Sequence, residues 1–139
     1  MAVALKIDGL SMFTAAESKG SKGELPFSHL IVMSGEKNAI VVKGWFISEA
    51  KSEEFLVRSY AESVAGSLNA SSDIGTITAT FHAAWPKGGK PPTDEGPSGD
   101  KNSQGSDATG RGASFDQKYI AVEMDVGKPR AVIPVRYAR

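Results

Sequence analysis

The chain has 139 residues, with 16 Lys+Arg balanced by 16 Asp+Glu and no cysteine. A formal net charge of zero argues against sequence-independent nucleic-acid binding and against attraction of the whole chain to an anionic membrane, both of which need a basic excess. The missing cysteines exclude disulfides, thiolate nucleophiles, zinc–thiolate sites and iron–sulfur clusters together.

Lys6 and Asp8 interrupt the N-terminal apolar run too early for a signal-peptide core, and no stretch approaches the ~18 apolar residues of a membrane span. The expectation is a soluble chain, cytoplasmic by default. Val3, Leu5 and Ile7 alternate with Ala4, Lys6 and Asp8, the period of a strand with one apolar face, and Asp8-Gly9 supplies turn chemistry after it. Residues 10–13 form a second short apolar piece and 17–24 a polar loop. A β-branched run over 29–33 ends in the turn-like 34–38. Residues 39–47 (AIVVKGWFI) make the strongest expected strand. It is apolar on both faces and so central, with Gly44 marking a bulge or a close neighbour.

Residues 48–60 fit either a capped helix with Phe55, Leu56 and Tyr60 on its stripe or a strand carrying Phe55 and Val57 inward. Asn69-Ala70-Ser71 matches a glycosylation sequon and reads as a turn. Over 74–85, Ile77, Ala79, Phe81, Ala83 and Trp85 share one strand face and Thr76, Thr78, Thr80 and His82 the other, the half-buried pattern of an antiparallel sheet.

The chain has 15 Gly and 7 Pro, and 11 of these 22 fall within 86–114, a stretch with four positive and four negative charges and no apolar residue larger than alanine. Such a stretch cannot bury enough surface to order itself and reads as a long polar insertion. Residues 117–126 and 130–137, separated by Gly127-Lys128-Pro129, then read as a closing hairpin with Ala131, Ile133, Val135 and Tyr137 inward. Pro134 cannot donate to a ladder, which places the last strand at an edge or turns that position away from its partner. Seven or eight short strands with at most one short helix predict one all-β domain over 1–139, an antiparallel β-sandwich, jelly-roll-like, carrying the 86–114 insertion.

Short motifs recur in order from Ile7 to Phe81: Ile7-Asp8-Gly9-Leu10-Ser11-Met12, then Gly44-Trp45, then Phe55 leading to Ser59-Tyr60-Ala61, then Ile74-Gly75-Thr76-Ile77. The set resembles an uncharacterised bacterial β-rich family of hypothetical proteins with the pattern VDGLSV, GW, SYA, IGxI. Ile7 and Met12 stand where that pattern has valines. The resemblance implies a compact β fold, a strand over 54–59 and a short helical turn over 60–66. It implies no activity, catalytic residue or cofactor.

Catalytic spacing is sparse. His29 and His82 are the only histidines, with no His-x-His or His-Glu-x-x-His around them, so both read as hydrogen-bonded structural side chains and no metal is expected. There is no Gly-x-Ser-x-Gly elbow. The stretch 105–112 lacks the Lys-Ser/Thr of a phosphate loop, and 100–111 places Arg111 where a calcium loop needs its bidentate Glu. Asp8, Glu17, Glu24 and the pair Glu53-Glu54 are candidate sugar-chemistry carboxylates, but neighbours on a strand point to opposite faces. Lys128, Arg130 and Arg136 share a strand face and form a candidate contact for a polyanion or a charged guard on a sheet edge. Ion pairs with Glu123 and Asp125 across the hairpin would neutralise them. Trp85, with His82 beside it, and Trp45 are candidate ligand-binding residues, Trp85 the better placed because it borders the insertion. The expected function is a non-enzymatic binding or assembly module, with a protein partner or self-association through a sheet edge. The alternatives are a glycan-acting hydrolase and a carbohydrate- or cation-binding domain.

Overall fold

Asp8 and Gly9 both take positive φ, 55° and 77°, the two-residue turn whose twist suits antiparallel strands. In the computed structural model, which describes residues 1–33, 39–59, 62–68, 73–95, 107–116 and 119–137, this turn joins β1 (Ala2–Ile7) to β2 (Leu10–Ser11), with Ile7 opposite Leu10. The described chain continues through β3 (Leu30–Ile31), β4 (Gly44–Phe46), β5 (Lys51–Ser59), α1 (Val64–Ser67), β6 (Thr76–Pro86), β7 (Asp107–Asp116) and β8 (Met124–Arg136). The fold is all-β and every strand pair is antiparallel. One sheet runs β2-β1-β6-β8, with β3 beside β2 on the same edge of β1; the other runs β4-β5-β7. Among the described residues, no helix is long and apolar enough to cross a membrane.

The two sheets meet over a core of Ile7, Met12, Phe13, Leu30, Trp45 and Phe46. Gly44 is required where β4 crosses β5, because a Cβ there would lie 2.1 Å from the Glu53 carbonyl oxygen. That is backbone, which cannot swing aside, so the close approach expected of this glycine is found. Within 48–59 the strand reading holds, over Lys51–Ser59: β5 pairs Glu54 with Gly44 and Ser52 with Phe46. The helical turn after it is α1, capped by Ser63, whose Oγ accepts from the Gly66 N–H at 2.9 Å.

Four expectations change. First, the ladder takes only Gly44–Phe46 of the long strand foreseen over 39–47. A register shift between Glu53 and Phe55 carries β5 away, and 39–43 lies outside the strands, with the Lys43 carbonyl still accepting from the Phe55 N–H at 3.3 Å. Second, the polar insertion contains most of β7, which pairs with β5 from Lys51↔Asp116 to Ser59↔Asp107. Backbone hydrogen bonds to an existing strand need no apolar side chains, so composition concealed it.

Third, there is no closing hairpin. Gly127-Lys128-Pro129 lies inside β8, where the pairing moves from Phe81↔Ala131 to His82↔Pro129 to Ala84↔Val126. The residues that resemble a turn form two bulges, which tolerate Gly flexibility and a missing Pro N–H as a turn does. Residues 119–123 run past Pro86, where β6 ends, and so have no strand to pair with. Fourth, Ile133 and Val135 are about half exposed, not inward. They share a face with Ala79 and Ile77, but the core sits at the β1 side of that face and does not extend to β8.

β8 is the edge strand expected from Pro134. The Tyr137 N–H donates to the Gly75 carbonyl at 2.9 Å. Alternation along an antiparallel ladder then turns the backbone groups of Val135, Ile133 and Ala131 toward β6, and those of Val132, Pro134 and Arg136 toward the open side. β6 separates β1 from β8, whereas a jelly roll sets its first and last strands side by side. The expected turns at 34–38 and 69–71, the residues 60–61, and positions 100–106 of the calcium-like stretch 100–111 lie outside the described residues.

Candidate functional site

Two apolar runs outside the strands, 39–41 and 119–122, border one surface cleft of about 550 Å3. Its base is aromatic. Phe13 and Phe46 pack edge-to-face at 5.2 Å, Phe27 meets Phe46 at 5.6 Å, and Tyr119 meets Phe46 at 5.4 Å. Phe13 and Phe46 are buried, while Met33, Ile40, Val41, Ile120 and Val122 are exposed at the rim. The Tyr119 N–H donates to the Glu49 carbonyl at 2.7 Å and pins the start of its segment. Beyond it, no backbone hydrogen bond involves residues 120–122 among the described residues. Burial pushes the Tyr119 phenol above its ordinary pKa, and the Ser52 hydroxyl beside it pulls the other way. Both hydroxyls are buried without a well-formed hydrogen bond. The cleft therefore offers apolar contact and stacking, with His29, Glu49 and Tyr119 as its ionisable lining side chains.

His29 and His82 meet at the side of this cleft. His82 on β6 faces Ala2 on β1, Ala2 faces Ile31 on β3, and His29 lies two residues before Ile31. All three positions are on one face, and the small Ala2 side chain leaves room for the rings to touch edge-to-face at 4.7 Å. His82 Nδ1 lies 2.9 Å from the Gly127 carbonyl. A carbonyl only accepts, so Nδ1 carries the proton. His29 Nδ1 pairs with Ser28 Oγ at 2.7 Å. Burial, and then the neighbouring His82, lower the pKa of His29 below its ordinary 6.5.

The folded state therefore favours neutral His29. Its contribution to stability is complete above pH 6.5 and is lost as the pH falls through the lowered folded value. The urea midpoint should drop between about pH 7 and about pH 5, and the drop should shrink in His29→Gln. Equal slopes for the two proteins would contradict this account. Among the described residues no cluster of three or more His, Asp and Glu side chains is placed to hold a metal.

The other sequence-nominated residues fall into separate places. Trp45 is fully buried and packs edge-to-face on Phe55 at 5.4 Å, so its ring has no face open to a ligand. Trp85 is half-buried on β6, opposite Asp125, close to the Gly89 turn. Arg130 does not pair with Glu123 or Asp125. It donates to Asp94 at 2.8 Å and Glu95 at 3.2 Å, which strap residues 87–95 onto β8. The Lys128 N–H also donates to Glu95, and the Gly88 N–H donates to Asp125 at 3.1 Å. Hydrogen bonding from Arg130 lowers the Asp94 pKa, and the Lys128 N–H followed by Arg130 lowers that of Glu95. Arg136 lies opposite Thr76. The positive group is thus partly neutralised by the insertion it borders.

Sequence reasoning missed the cleft. Its walls come from three distant segments, and its signal was apolar runs at 39–42 and 119–122 that exceed what exposed loops need. Asp8, a nominated sugar-chemistry carboxylate, is buried and accepts from the Gly75 N–H and the Tyr137 hydroxyl. No protein-family model, curated protein sequence or solved structure matches the chain.

Proposed function

We propose that this protein is a non-enzymatic binding or assembly module that works through the apolar cleft. The observation that carries the reading is the cluster of exposed Met33, Ile40, Val41, Ile120 and Val122 around an aromatic base. Contiguous apolar surface of this kind is costly to leave in water and marks interaction sites. Membership of the bacterial β-rich family that the ordered motifs resemble is part of the proposal, since that resemblance implies no catalysis. A glycan-acting reading has less support, because the Trp45 ring is enclosed in the core and the Asp8 carboxylate is held by structural donors.

An anilinonaphthalene sulfonate dye, whose fluorescence rises on apolar surfaces, tests the reading with folded protein at low micromolar concentration. The expected result is a saturable signal that Val122→Asp removes while the circular dichroism spectrum is unchanged. A folded wild-type protein with no signal, or an equal signal from the variant, would overturn it.

A further inference from the structure

The cleft's shape and area point to its occupant. Its five exposed rim side chains leave between 44% and 87% of their surface in solvent, Ile120 the most. Together they expose on the order of 500 Å2 of apolar surface, near the upper end for the largest patch on a monomer. Two such patches placed face to face bury at most about 1,000 Å2, the size at which specific interfaces begin.

The surface also complements itself. Ile120 and Val122 project at the rim while Phe13 and Phe46 recede at the base. A two-fold axis lets the 120–122 ridge of each copy enter the other's cleft, the reciprocal contact of an isologous interface. The formal net charge of zero sets no net repulsion between copies. The one carboxylate in the lining is Glu49, so the cleft offers no charged cluster to select an oppositely charged partner. The competing surface is the open edge of β8, with Ile133 and Val135 exposed. There Pro134 turns its missing N–H outward and interrupts any added ladder.

We propose that the chain forms a two-fold homodimer through this cleft, each copy seating its 120–122 ridge in the other. The proposal rests on the binding-module reading. Sedimentation velocity should give a dimer at about 100 µM that dissociates on dilution, as an interface at the lower size limit would. Ile120→Lys should be monomeric at the same concentration with unchanged circular dichroism, and Ile133→Lys should remain dimeric. Because the chain has no cysteine, mixing Ile120→Cys with Val41→Cys protein and oxidising should yield a disulfide-linked heterodimer.

A monomeric wild type, or dissociation by Ile133→Lys with Ile120→Lys still dimeric, overturns the homodimer. Absence of the mixed cross-link overturns the ridge-in-cleft arrangement. If the wild type is monomeric while dye binding and its dependence on Val122 persist, the dimer falls and the binding-module reading stands. Loss of both removes both.

Discussion

Trp45→Ala is expected to destabilise the fold by about 4 kcal/mol, the upper range for truncating a large buried aromatic. Trp45 is fully buried, lies between Gly44 and Phe46 in β4, and stacks its edge on Phe55. The second sheet has three strands, and this ring joins it to the Ile7, Met12 and Phe13 cluster of the first. Removing it leaves a cavity beside a β4 backbone that already runs so close to β5 that a Cβ at Gly44 would clash with the Glu53 carbonyl. Domains of this size hold roughly 5–15 kcal/mol in total, so the variant should show a much lower urea midpoint by far-UV circular dichroism. Trp45→Phe keeps an aromatic face for Phe55 and should lose well under half as much. A Trp45→Ala loss below about 1 kcal/mol would show that the two sheets are joined elsewhere.

Asp8→Ala should cost about 3 kcal/mol, for a different reason. The Asp8 carboxylate accepts from the buried Gly75 N–H at 2.8 Å and from the Tyr137 hydroxyl at 2.6 Å, while its own N–H donates to the Thr76 carbonyl at 2.8 Å. One side chain thus ties the β1–β2 turn to the start of β6 and the end of β8. Alanine strands both donors and places a Cβ-bearing residue without a polar side chain at φ 55°. Asp8→Asn keeps an acceptor oxygen and tolerates that φ, so it should cost about 1 kcal/mol. The ordering, with Ala well below Asn, is read from urea denaturation; equal losses would mean that the turn geometry is irrelevant.

The antiparallel all-β character was legible from the two-residue alternation over 3–8 and 74–85, but the buried face was not: Thr76, on the face read as polar, is buried, while Phe81 on the other is only half-buried. The Asp8-Gly9 turn and the edge position of Pro134 were legible from backbone chemistry alone. β7 was not, since its order comes from a partner's backbone and its own residues are mostly small and polar. Gly127-Lys128-Pro129 was read correctly as a break in regular strand but not as bulges, because turn and bulge ask the same of those residues. The candidate site was legible only in part. His82 and His29 were nominated singly, and their meeting depends on the small Ala2 between them. The cleft depends on where strands stop, at Pro86 and at the Glu53/Phe55 shift, and stopping points follow from pairing, not from local pattern. Trp45 and Trp85 look alike as residues; only the fold separates a core ring from a half-exposed one.

β6 and β8 are neighbours in one sheet, yet the chain between them leaves to build the edge of the other sheet before returning. The chain thus crosses to the second sheet and back twice, once for β4 and β5 and once for β7. Closing the β6–β8 pair requires a long loop whose entropy is paid whether or not β7 has docked, so sheet closure and docking are separable events in folding. The polar residues at 87–95 that hold Arg130 shorten the effective loop before the rest of the excursion finds β5. A mutation in this strap would thus act on how fast the last strand is secured as well as on how firmly, placing kinetic control of the fold in a segment that contributes nothing to its core.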